Sequence, residues 1–196
     1  MALGAPKEAV SEPKCVEGVL VIPRFTIRAS TRREARRGLD AAPRGSLVVV
    51  EATAADAARY AAVNKLVDVL RLPPRLSYLV DRSTARLFRE RGWGLVEISL
   101  GGLSADTAGR ILPPLASALR RAEAYGVPVA VVSDAGDPLS LWHPYEVAGL
   151  AESLGIPWHR GLSWISTAPL SVLARRGWGR DRLLSCTRGS AGASSG

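Results

Sequence analysis

Val127-Pro128-Val129-Ala130-Val131-Val132-Ser133-Asp134-Ala135-Gly136 runs on through Asp137-Pro138-Leu139-Ser140-Leu141-Trp142-His143-Pro144-Tyr145-Glu146 to Leu154-Gly155-Ile156-Pro157. The first part is a short apolar run opened by Pro128 and closed by small and acidic residues. Such a run reads as a strand buried on both faces, the kind found in parallel sheets. Pro144 suits the first turn of a helix, where its missing N–H has no partner to lose. Gly155 and Pro157 mark the helix end. The stretch is a strand–loop–helix unit, and the rest of the chain repeats its rhythm.

Upstream, Val19-Leu20-Val21-Ile22 reads as a strand carried past Pro23 by Arg24-Phe25-Thr26-Ile27-Arg28, with the proline making it an edge strand or a broken one. Thr31-Arg32-Arg33-Glu34 has capping-box spacing and predicts a helix to about Ala41. Leu47–Glu51, Leu66–Leu70 and Leu95–Leu100 read as strands, and Ser77–Val80 as a further short one. Helices are expected from Thr53 to Lys65, over 83–91, and from Ser104 to Tyr125, where Pro113-Pro114 should interrupt or kink the chain. Trp158 to Trp164 is expected to hold a last strand, followed by a helix to about Arg176. Six or seven strands alternating with helices imply an α/β fold with a mostly parallel sheet. The chain is short for a complete eight-stranded barrel, which leaves a trimmed barrel or an open doubly wound sheet. Residues 1–16 and the Gly/Ser/Ala tail 187–196 read as disordered, flanking one domain over 17–186.

The formal charge of +8 is unevenly placed. Residues 1–45 carry +4, residues 46–159 carry −1, and residues 160–196 carry +5. Basic ends around a neutral middle suggest a polyanion partner, most often nucleic acid. The basic residues are mostly arginines, which suit bidentate phosphate contacts. No apolar run is long enough to span a membrane, and the N-terminus lacks the apolar middle of a signal peptide. Cys15 and Cys186 match no metal or redox spacing, so a reducing, intracellular compartment, the cytoplasm, is the default.

For chemistry, the candidate set is the acids at or near strand ends: Glu51, Asp68, Glu97 and Asp134. Converging carboxylates bind divalent metals or act as acid and base. Only two histidines, His143 and His159, are present, with no metal-ligand spacing. The competing reading pairs these acids with arginines such as Arg71, Arg82 and Arg110, since a buried carboxylate needs partners. No phosphate-binding glycine loop and no nucleophile elbow around Ser133 is visible. Trp142, Trp158, Trp164 and Trp178 are candidates to stack on bases or to fill the core.

Several segments together resemble the ribonuclease P protein component 3 family, archaeal relatives of the eukaryotic 30-kilodalton ribonuclease P subunit. They are Ala58-Arg59-Tyr60-Ala61-Ala62, Val67-Asp68-Val69-Leu70, Asp81-Arg82, Leu95–Leu100, the stretch from Val127 to Pro157, and Ser163 to Leu173. Each is common alone, and their order and spacing over residues 45–176 carry the resemblance. Ser133-Asp134-Ala135-Gly136 departs from the family's Ser-Gly-Ala, and Trp142-His143 stands where an arginine often precedes the helix proline. The region before residue 45 is shorter than in the family, which points to a barrel shortened at its N-terminal side.

The resemblance implies a TIM-barrel-like subunit with no catalytic residue, metal or cofactor of its own. Together with ribonuclease P protein component 2 it would bind the catalytic domain of the ribonuclease P RNA. The assembly removes the 5′ leader from precursor tRNA, which this subunit would meet only indirectly, and the RNA with its Mg2+ ions carries the reaction. The expected RNA contacts are Arg24, Arg28, Arg32, Arg33, Arg36 and Arg37 early in the chain, and Arg160, Arg175, Arg176, Arg180 and Arg182 late in it. In a barrel the first and last segments are neighbours, so the two clusters are expected to merge. The alternative is a metal-dependent hydrolase of the polymerase-and-histidinol-phosphatase type, which shares the barrel.

Overall fold

A computed structural model of the protein describes residues 14–16, 19–101, 103–136 and 141–178. It opens with an antiparallel hairpin of β1 (Lys14–Val16) and β2 (Val19–Val21). Strand structure at Lys14–Val16 corrects the expectation of disorder through residue 16. Cys15 is disulfide-bonded. The bridge corrects the reading of a reducing compartment from the cysteines, whose local spacing gives no sign of it because a structural bridge leaves no local motif.

Five parallel strands follow in the order of the chain: β3 (Arg24–Ala29), β4 (Leu47–Ala52), β5 (Val69–Leu72), β6 (Leu95–Ser99) and β7 (Val129–Val132). Pro23 breaks the run into β2 and β3, which lie in different sheets, so the reading of a broken strand holds. β3 lies at the edge of the parallel sheet, where a proline at its entrance removes no ladder bond. The strands are apolar runs because both faces are covered. Val48, Val50, Leu70, Leu72, Val96, Ile98, Val129 and Val131 pack into the main core beneath the helices. Val49, Val69, Leu95 and Ala130 point the other way and form a second cluster with Val172. The result is a TIM-barrel-like α/β fold, with an arc of five strands among the described residues.

The connecting helices follow local signals. α1 (Arg32–Asp40) starts at a complete capping box: the Glu34 N–H donates to the Thr31 hydroxyl, and the Glu34 carboxylate accepts from the Thr31 N–H. α2 (Ala55–Val63) presents Ala57, Ala58, Ala61 and Ala62 to the sheet, and their small side chains let it lie close. α3 (Arg82–Arg91) is capped by Asp81 and ends at Gly92, whose φ of +76° suits glycine. α5 (Pro144–Ser153) has His143 as its N-cap and Pro144 in its first turn.

Three expectations are corrected. Pro74–Leu79 forms a 3-10 helix, not a strand, because proline at its first position fixes the helical φ. Trp158–Ile165 is helix α6, not a strand; Gly161 and Trp164, three apart, form its buried face. α4 (Ala105–Tyr125) runs unbroken through Pro113-Pro114. The two helical bonds missing there fall on the carbonyls of Gly109 and Arg110, both exposed residues that water can serve. The last helix, α7 (Thr167–Arg175), lies on the opposite face of the sheet from α1 and closes the second apolar cluster. No helix is long and apolar enough to cross a membrane among the described residues.

Candidate nucleic-acid interface and the charge network behind it

On the face of the sheet away from α1, register sets four charges in one row. Arg28 lies opposite Glu51, Glu51 opposite Arg71, and Arg71 opposite Glu97, so the sign alternates across β3, β4, β5 and β6. Opposite charges on neighbouring strands attract at this spacing. Arg71 is the hub. Its Nε lies 3.5 Å from Glu51 Oε2, its Nη1 lies 3.5 Å from Glu97 Oε1, and its Nη2 meets Asp134 Oδ2. Arg24 reaches from the edge strand across the curled face and binds Glu97 with two parallel hydrogen bonds of 2.8 Å. That fork-on-fork geometry is the strong form of the arginine–carboxylate pair. Asp134 sits at a φ of +54°, uncommon outside glycine, and also accepts from the Ser99 hydroxyl at 2.8 Å. Burial works to raise the Asp134 carboxyl, but the bonds from Arg71 and Ser99 outweigh it and hold it below the ordinary value.

Asp68 is not part of this constellation. It precedes β5 at the opposite end of the sheet, fully buried, where it accepts from the Val48 N–H at 2.8 Å. Arg176 supplies the counter-charge through Nε at 2.7 Å and Nη2 at 2.5 Å. The reading that strand acids pair with arginines therefore holds, with different partners from those named. Arg71 takes part, but Arg24 and Arg176 replace Arg82 and Arg110. Among the described residues no cluster of three His, Cys, Asp or Glu is placed to hold a metal ion.

These pairs divide the arginines expected to contact RNA into salt-bridged and unbridged ones. Arg24 and Arg176 are spent on internal carboxylates, since a buried acid keeps the nearest guanidinium. Arg160 is held 3.4 Å from Glu123, and Arg28 lies 3.6 Å from Glu51 while staying largely exposed. Arg32, Arg33, Arg36 and Arg37 are exposed along α1, whose buried residues are Ala35 and Leu39, and none of their guanidinium groups is in a salt bridge among the described residues. The Arg32 N–H nevertheless donates to Asp56 Oδ2 at 2.6 Å, and the Glu34 carboxyl is lowered by hydrogen bonds from Ser30 and, in smaller part, by the Arg33 charge beside it. Arg32 also lies over the Tyr60 ring at 5.5 Å. Exposed Arg175 lies 3.9 Å over the ring of Trp93, a tryptophan with no sequence motif around it to mark it out. Behind it, burial pushes the Arg91 guanidinium down to about 10, with Asp68 opposing and Arg175 reinforcing the shift. Arg180 and Arg182 lie outside the described residues. The α1 arginines and Arg175 lie on opposite sides of the sheet, because α1 and α7 cover its two faces, whereas Arg24 and Arg28 lie on the α7 side. Of the tryptophans considered for stacking, Trp164 and Trp178 are core residues, whereas Trp158 is half exposed.

Fold and site together define a class: a TIM-barrel-like α/β protein whose interior carboxylates are neutralised by its own arginines and whose outer helix carries exposed ones. A family model for RNase P subunit p30 matches residues 3–180. Ribonuclease P protein component 3 of Aeropyrum pernix is 39% identical over 178 residues, which covers 88% of this chain and 84% of that protein. The chain belongs to the RNase P subunit p30 family. A chain in a cryo-EM structure of archaeal ribonuclease P with mature tRNA shares the fold, with a TM-score of 0.66 at 19% identity, covering 78% of this chain and 68% of that one.

Proposed function

We propose that the protein is an RNA-binding subunit of archaeal ribonuclease P, the cytoplasmic assembly that removes the 5′ leader from precursor tRNA. In this reading it works with protein component 2 on the catalytic domain of the RNA, and the RNA with its Mg2+ carries the cleavage. Family membership supports the assignment. The observation that carries the RNA contact is the α1 stripe of Arg32, Arg33, Arg36 and Arg37, exposed and with no guanidinium in a salt bridge among the described residues. Four guanidinium groups on one helix face suit a run of phosphates. The late contribution rests on Arg175, stacked on Trp93, with Arg28 and Arg160 as contacts that must first loosen from Glu51 and Glu123.

The converging carboxylates argue against the hydrolase reading. Glu51, Glu97 and Asp134 surround a guanidinium, so none is free to act as a base or to accept a cation without displacing Arg71. Reconstitution with the cognate RNA and protein component 2 tests the proposal. The expected result is a stable complex that processes precursor tRNA at lower magnesium than the RNA alone. No complex at micromolar concentration, or robust hydrolysis by the RNA-free protein that Glu97→Gln abolishes, would overturn it.

A further inference from the structure

A cavity of about 670 Å3 opens between the exits of β5 and β6. Pro73 and Pro74 form one wall, Gly101 another, and Arg110 and Ile111 of α4 face them, with Arg75 at the side. This is the end of the sheet from which the βα loops rise, where open and closed parallel α/β folds place their ligands. The volume lies in the range of small-ligand sites.

Two properties distinguish it from the neighbouring charge network. Arg75 and Arg110 are exposed, and neither meets a carboxylate among the described residues, while Arg24, Arg71 and Arg176 are all paired inward. Between them the lining is mostly apolar, with Pro73, Pro74 and Ile111 beside the single polar side chain of Thr107. A ligand with a strong negative charge and a flat or apolar body matches this lining.

We propose that this cavity takes one unpaired nucleotide of RNA, with its phosphate between Arg75 and Arg110 and its ribose and base against Pro73, Pro74 and Ile111. A planar guanidinium pairs with phosphate in bidentate fashion. A bare carboxylate from an acidic peptide would satisfy the arginines and leave the apolar wall unused. The inference deepens the reading of the protein as an RNA-binding subunit, and it specifies a site for a single-stranded nucleotide distinct from the helix-borne stripe of α1.

The test uses the full-length protein and adenosine 5′-monophosphate as probe, followed by calorimetry or NMR titration. Adenosine monophosphate should bind, while adenosine alone and inorganic phosphate alone should each bind at least about tenfold more weakly. Arg75→Ala combined with Arg110→Ala should remove binding without shifting Tm, because both side chains are exposed. Three results would overturn the proposal: no binding at millimolar nucleotide, binding unchanged in the double variant, or displacement by a glutamate peptide at equal concentration. Assembly with the cognate RNA and protein component 2 is read separately on the same samples. Normal assembly without nucleotide binding sinks the cavity alone, whereas failure of the unmodified protein to assemble sinks the functional reading.

Discussion

The Arg176 guanidinium, just past the last helix, grips the fully buried Asp68 carboxylate 108 positions earlier with bonds of 2.7 and 2.5 Å. The same carboxylate caps the Val48 N–H, so one pair ties α7, β4 and the entrance to β5 together. Removing one partner of a buried pair strands the other charge. Arg176→Ala should therefore destabilise the protein by about 3–5 kcal/mol. Arg175→Ala, at an exposed site, should stay within about 1 kcal/mol, even though it gives up the cation–π stacking on Trp93. Urea denaturation of the two single variants checks this. Equal midpoints would show that the pair contributes nothing. Replacing Arg175 and Arg176 together would confound RNA affinity with folding.

The α1 stripe separates phosphate binding from solubilising charge. Each arginine that neutralises a phosphate adds about 0.7–0.9 to the slope of log affinity against log salt. Arg33→Ala, Arg36→Ala and Arg37→Ala combined should flatten that slope by about 2–3 units for the cognate RNA with protein component 2 present. A salt titration in which the triple variant keeps the parental slope would place the RNA elsewhere.

Acid should weaken the upper charge network in a defined direction. The Asp134 carboxyl is held below its ordinary value, because the bonds from Arg71 and Ser99 outweigh its burial. A depressed carboxylate contributes stability above its unfolded-state value and loses it as pH falls through the folded-state value. Asp134→Asn keeps the shape, and asparagine tolerates the positive φ. The parent should thus be the more stable near neutrality, and the gap in urea midpoint should close as the pH drops through the acid range. A gap that does not change with pH would detach Asp134 from the network.

Packing between α5 and α6 depends on Gly161. A Cβ there would stand 2.8 Å from Ala148 Cα and 2.9 Å from Ala151 Cβ. Neither can rotate away, so the helices must separate. Gly161→Ala should cost about 1–3 kcal/mol despite its better helix propensity. An unchanged thermal midpoint would mean that the helix pair slides at no cost.

Much of the local structure was legible in the sequence. The apolar runs that became β4, β6 and β7 announce strands covered on both faces, and Thr31-Arg32-Arg33-Glu34 announces a helix start, because both signals lie within a few residues. Short segments with weaker signals were misread: Trp158–Ile165 is a helix, and the Pro74–Leu79 turn is a 3-10 helix. The family resemblance was legible over 45–176, and the family match extends it to 3–180. What the sequence alone determined was the set of charges and the rhythm of the elements. Which arginines face outward was decided only by tertiary structure. Arg24 and Arg36 look alike in sequence, yet register and sheet curl carry Arg24 to Glu97, 73 positions away, while helix phase turns Arg36 to solvent. A guanidinium goes to whichever carboxylate the fold has buried, and only the folded chain determines which carboxylates are buried.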